Sequence, residues 1–156
     1  MNASSAGITR TPTQLAAAVV GAVFLLVGVL GFIPGIVTDY DRMEFAGHES
    51  GAELLGIFQV SVLHNIVHLL FGVAGLALAR NLRSAEAFLF AGGAVYLVLW
   101  IYGLAIERTS DANFVPLNNA DNWLHLVLGA GMIATGLALR ATRRASPGIP
   151  GRPAHG

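Results

Sequence analysis

The sequence predicts an all-α integral membrane protein, a four-helix bundle made of two duplicated helical hairpins related by a pseudo-two-fold axis along the membrane normal. Hydrophobic residues make up 54% of the 156 and charged residues only 12%, which is too apolar for an ordinary soluble domain. Four segments almost free of charge approach the about 20 apolar residues that a spanning helix needs. Within two of them, HNIVHLLFG (64–72) and DNWLHLVLG (121–129) repeat one pattern: an asparagine, a histidine three residues on, and a glycine four residues after that.

The elements follow in order. Residues 1–13 open with MNASSAGITRTP, a small and polar tail. The apolar run behind it is long enough to span rather than to act as a cleaved signal core, so it is read as retained. The membrane domain covers 14–140, with spans at 14–34, 62–79, 85–106 and 121–139. The second span is the shortest, and the apolar residues LLGIFQV before it extend the region that can be buried. The turn ARNLRSAE is tight, making spans two and three antiparallel neighbours. Two longer polar loops, Gly35 to Glu53 and ERTSDANFVPLNNA, join the other spans. Residues 141–156, ending in SPGIPGRPAHG, are predicted to be a disordered cytoplasmic tail.

A formal net charge of zero conceals a strong segregation. Arg10, Arg80, Arg83, Arg140, Arg143, Arg144 and Arg152 fall in the tails and the central turn, and only Arg42 and Arg108 in the longer loops. The positive-inside rule therefore places both termini in the cytoplasm of a cell whose inner (plasma) membrane the chain crosses several times. The longer loops then face out and carry every acid except Glu86. With no cysteine present, disulfides and thiolate metal sites are excluded.

The repeat extends beyond the histidines. GAVFLLVGVLGF (21–32) matches GAVYLVLWIYGL (93–104), with an aromatic at the fourth place of each, and NIVHLLFG matches NWLHLVLG. Polar positions match along with apolar ones, and polar residues are rare within spans. Ser61 and Asn118 occupy equivalent N-cap positions. Counting from them, His64 aligns with Asp121, Asn65 with Asn122, and His68 with His125, the last pair about 10 Å along each helix. Gly72, Gly75, Gly129 and Gly136 continue that face as helix-packing residues. GIFQVS (56–61) and NFVPLN (113–118) also align, and are expected to be extended and to pair across the pseudo-axis, with Pro116 restricting the pattern to an edge.

The segments LLGIFQVSVLHNIVHLLFGVAGLALAR and VPLNNADNWLHLVLGAGMIATGLALR resemble the bacterial membrane family called domain of unknown function 4383, from the first span to the last. Ser61 and Val62 stand where the family pattern has Asn-Pro. The resemblance implies a four-helix integral membrane protein and brings no activity with it.

Three functional readings stay open. In the first, the Asn65/His68 and Asn122/His125 pairs are interhelical polar glue, worth about 0.6–2 kcal/mol per hydrogen bond, in a non-enzymatic scaffold or accessory subunit. In the second, the polar set holds a cofactor. His68 and His125 at matched depth suit the axial positions of a b-type haem, and His64, His68, Asp121 and His125 together suit a divalent metal such as zinc. The spacing in HNIVH is not HExxH and gives no support to a zinc protease. The third reading is proton or small-solute passage through an oligomer, since four short spans alone make a thin wall. The expected partners are the lipid bilayer, a second copy of the chain or a membrane-complex subunit. Nothing points to nucleic acid.

Overall fold

The computed structural model describes residues 10–145. Four helices, α1 (Pro12–Leu30), α2 (Val62–Leu78), α3 (Leu82–Ala105) and α4 (Asn119–Ala145), form a bundle. A small antiparallel sheet caps one end, with strands β1 (Val37–Thr38), β2 (Glu53–Leu54) and β3 (Phe58–Gln59) in that order. The tail residues 1–9 and 146–156 lie outside the described residues.

Local chemistry starts each helix. Thr11 caps α1 by accepting from the Gln14 amide, the Gln14 side chain reaches back to the Thr11 amide, and Pro12 occupies the first helical position. Ser61 caps α2 by accepting from the His64 amide at 3.1 Å, and Asn81 caps α3 through the Arg83 amide. Gln14 Nε2 also donates to the carbonyls of Ala79 and Arg80, at 3.1 and 2.9 Å. It thereby ties the start of α1 to the end of α2 and sets the two antiparallel.

Helix α1 packs along α2 and α3 along α4, and the two pairs meet chiefly through α1 against α3. Small residues face inward: on α1 the buried set includes Ala17, Ala18, Gly21 and Gly28, while Leu15, Val19, Val23, Leu26 and Val29 point out at helical spacing. This arrangement is inverted relative to a soluble bundle and suits lipid, where close approach of small residues rather than burial of large ones holds helices together. Three helices, α1, α3 and α4, are long and apolar enough to cross a membrane. Helix α2 has 17 residues, or about 26 Å of rise, and falls short of that length alone.

The structure corrects several boundaries. Helix α1 stops at Leu30 rather than at residue 34, because the chain turns at Gly31 toward the sheet. The apolar residues before α2 do not lengthen it, since they form the β2–β3 hairpin. Leu55 and Gly56 turn that hairpin with φ of 58° and 67°, the two positive values of a type I′ turn. Helix α4 runs on to Ala145, past the expected end at 139 and into the segment expected to be disordered from 141. Strand β3 pairs with β2 rather than with residues 113–118, which form no strand. One side-chain bond links the two segments instead, Asn118 Nδ2 to the Ile57 carbonyl at 2.7 Å, and a second joins β3 to α4, the Gln59 amide to Asp121 Oδ2 at 3.0 Å.

Candidate functional site

Apart from Thr13 at the start of α1, the buried polar residues of the helices collect near the sheet end of the bundle. Asn65, on the first turns of α2, is sealed from solvent and donates from Nδ2 to the Gly31 carbonyl at 2.6 Å, just past the end of α1. That carbonyl is one of those a helix C-terminus leaves without an intrahelical partner, so the asparagine of one helix finishes the end of its neighbour. The fit depends on glycine, because a Cβ at position 31 would run into the Asn65 amide. On the other hairpin Asn122 of α4 lies against Gly103 of α3 in the same way, and a Cβ at 103 would meet its Oδ1. The Oδ1 atoms of Asn65 and Asn122 are both buried with no hydrogen-bond partner.

Deeper in the bundle the helices touch at glycine. A Cβ on Gly72 would stand 2.8 Å from the Gly21 carbonyl oxygen, and one on Gly129 would stand 2.9 Å from the Gly93 carbonyl oxygen. Gly75 faces Gly21 and the Phe88 ring, and Gly136 faces the Phe90 ring. All four contacts are between helices and leave no room for a methyl group without movement of a neighbour.

The histidines do something different from the asparagines. The expected bond between an asparagine and a histidine across helices is not formed among the described residues. The ring of His68 donates from Nδ1 to the His64 carbonyl on its own helix at 3.1 Å. The His64 and His68 rings stack face to face, 4.4 Å apart and 7° from parallel, as i, i+4 spacing permits. His64 Nδ1 and His125 Nδ1 are buried without a partner. A row of rings joins the two hairpins. His68 packs edge-on against Phe24 at 5.6 Å, Phe24 stacks on Tyr96 at 5.3 Å, and His125 packs edge-on against Tyr96 at 5.3 Å. Phe24 and Tyr96 are the aromatics that occupy the fourth place of the two matching segments.

His64, His68, Tyr96 and His125 also line one cavity of ≈ 250 Å³ between α2, α3 and α4. Aliphatic side chains make up most of the remaining wall, and Phe114 and Val115 from the loop between α3 and α4 close it toward the sheet end. Haem ligation by His68 and His125 would need the two imidazoles to face each other across a macrocycle. Here each ring packs on the Phe24–Tyr96 stack, and the shared space is smaller than the roughly 300–1,000 Å³ of cofactor-sized sites.

The family model described as domain of unknown function (DUF4383) matches residues 14–138. The chain belongs to that family. No curated protein and no solved structure matches it. In this DUF4383 chain the matched region runs from the first helix through most of the last, and so contains both asparagine locks, the ring row and the cavity.

The four-residue metal set is not assembled. Among the described residues no three His, Asp or Glu side chains converge as a metal site. Asp121 is occupied elsewhere. Its Oδ2 accepts the amides of Asn118 and Gln59, both at 3.0 Å, while Asn118 Oδ1 accepts the Asp121 amide at 2.9 Å. This reciprocal cap starts α4 and pins β3 to it. The signal was present in the sequence, because Asn118 and Asp121 have capping-box spacing. Gly31, Gly103, Phe24 and Tyr96 stand at corresponding places in the two segments GAVFLLVGVLGF and GAVYLVLWIYGL, but nothing in the spacing assigned them to Asn65, Asn122 and the histidines.

Proposed function

We propose that this chain is a non-enzymatic multi-pass protein of the plasma membrane, a scaffold or accessory subunit built as two copies of one hairpin, each locked by an asparagine seated on a glycine. The observation that carries this reading is the Asn65 bond to the Gly31 carbonyl, with Asn122 against Gly103 as its counterpart. In lipid a donor placed on an otherwise unpaired carbonyl fixes helix register where apolar faces alone cannot. The Asn65 and Asn122 side chains then serve architecture. Arg10, Arg80, Arg83, Arg140, Arg143 and Arg144 gather where α1 and α3 begin and α2 and α4 end, which supports a cytoplasmic position for both termini.

The test uses purified full-length protein in detergent. Asn65→Ala and Asn122→Ala should each lower the unfolding midpoint while the absorbance spectrum and metal content stay as in the parent. A Soret band in the parent that disappears in His68→Ala or His125→Ala would replace the scaffold by a haem protein. For topology, a fluorescent protein fused after Ala145 should fluoresce and alkaline phosphatase fused there should be inactive. The reverse pattern would overturn the orientation.

A further inference from the structure

The histidine cavity is not accounted for by architecture. The asparagines hold the helix ends, whereas the imidazoles of His64, His68 and His125 make one ring hydrogen bond with protein among the described residues, and that bond stays within α2. Burying ring nitrogens without partners is costly, and two of them, His64 Nδ1 and His125 Nδ1, belong to rings that line one cavity and call for an occupant.

The lining selects that occupant by charge, access and hydrogen bonding. None of the residues around the cavity is an acid or an arginine, so an ionic ligand would enter uncompensated. Val67, Val95 and Phe114, at 47%, 46% and 56% exposure, stand at its edge. On helices of this composition Val67 and Val95 meet lipid, with Phe114 of the α3–α4 loop beside them, and a ligand passing between them arrives from the bilayer. The volume of ≈ 250 Å³ equals about eight water-sized groups at ~30 Å³ each, enough for one six-membered ring with its substituent oxygens while any tail remains in lipid. The His68 tautomer narrows the choice. Because Nδ1 gives its proton to the His64 carbonyl, a neutral imidazole carries a lone pair on Nε2 and asks for a donor. The Tyr96 hydroxyl and the His64 and His125 rings can donate or accept.

We propose that this cavity binds the ring of a lipid-soluble hydroquinone, with one phenolic hydroxyl donating to His68 Nε2 and the ring oxygens received by Tyr96, His64 and His125. A hydroquinone is uncharged, planar, membrane-borne and both donor and acceptor, which meets each requirement of the lining. A quinone lacks the donor that His68 needs, and a phospholipid headgroup brings charge. The site is independent of the asparagine locks.

The probe is 2-decyl-1,4-hydroquinone, kept reduced under nitrogen and titrated calorimetrically into the full-length protein in maltoside micelles. The chain has no cysteine and no lysine to add covalently to traces of the oxidised form. One saturable site is expected. The dimethyl ether of the same compound, alike in shape and lacking both donors, should bind roughly tenfold more weakly. His68→Leu should weaken the hydroquinone to a similar degree and His48→Leu, in the loop between β1 and β2, should not. Val67→Trp fills the mouth from a side chain that is already exposed, so it should abolish saturation with helix content unchanged. The proposal is overturned if the parent protein shows only non-saturable partitioning, if the ether binds as tightly as the hydroquinone, or if diacylglycerol, an uncharged hydroxylated lipid, displaces the hydroquinone at equal concentration.

Discussion

Gly31 and Asn65 form one device, and a double-mutant cycle reads it directly. In Gly31→Ala the new methyl overlaps the Asn65 amide. Asn65 is 1% exposed, so the substitution should cost about 1–3 kcal/mol, as overpacking does in tight cores. Asn65→Ala removes the 2.6 Å bond to the Gly31 carbonyl. A hydrogen bond between membrane helices is worth about 0.6–1.7 kcal/mol, and leaving a carbonyl unpaired in apolar surroundings raises the loss to roughly 1–3 kcal/mol. In the double variant the alanine methyl at 31 occupies space vacated by the amide. The clash vanishes, and the double variant should be about as stable as Asn65→Ala alone, some 1–3 kcal/mol better than the sum of the singles. Reversible unfolding in mixed micelles with rising dodecyl sulfate, followed by tryptophan fluorescence, measures all four corners. Additivity to within about 0.5 kcal/mol would mean that the two residues do not share a site, and would refute the lock.

Three further outcomes follow from the same geometry. Asp121→Ala removes the acceptor of two backbone amides and with it the return half of the reciprocal cap of α4, leaving Asn118 Oδ1 on the amide of residue 121. It should cost about 1–2 kcal/mol and speed hydrogen exchange at the Gln59 amide, whereas unchanged exchange there would separate β3 from α4. Leu55 is 62% exposed and held at positive φ, so Leu55→Asn should stabilise the hairpin by about 0.5–1 kcal/mol in the same unfolding assay. A loss would mean that the leucine packs against something in its native setting. Glu86 pairs with Arg140 and Arg143 at 3.3 and 2.8 Å, from exposed arginines. Glu86→Gln should lower the thermal midpoint slightly in dilute salt and leave it unchanged at high salt, and a large salt-independent drop would contradict a screened surface pair.

Much of the bundle was legible because it is local. Thr11, Ser61 and Asn118 announce helix starts through side chains that bond amides three residues away. The apolar runs identify the helices themselves. Where the reading of ends failed, a neighbour decided the matter. The residues before α2 are apolar enough to continue a helix, yet they fold back as β2 and β3 over Val37, Ala52 and Val60. The site was half legible for the same reason. His64, His68 and His125 were placed on matching faces by spacing alone, and the structure puts them around one cavity. Asp121 shares their register but spends its carboxylate on backbone amides. Sequence spacing records which face a side chain is on and not which group has already claimed it.

The sequence by itself determined the lipid-matched composition, the helical segments, the charge asymmetry between the two ends and the matched Asn, His and Gly positions. Each of these is set by residues within a turn or two of one another, or by composition. Only the tertiary structure decided that Asn65 would meet Gly31, that His68 would turn to its own helix, and that Phe24 and Tyr96 would join the two histidines into one row. Those outcomes depend on how closely helix backbones approach at Gly21, Gly72, Gly93 and Gly129. That distance is a property of pairs of helices, and no periodicity along a single one encodes it.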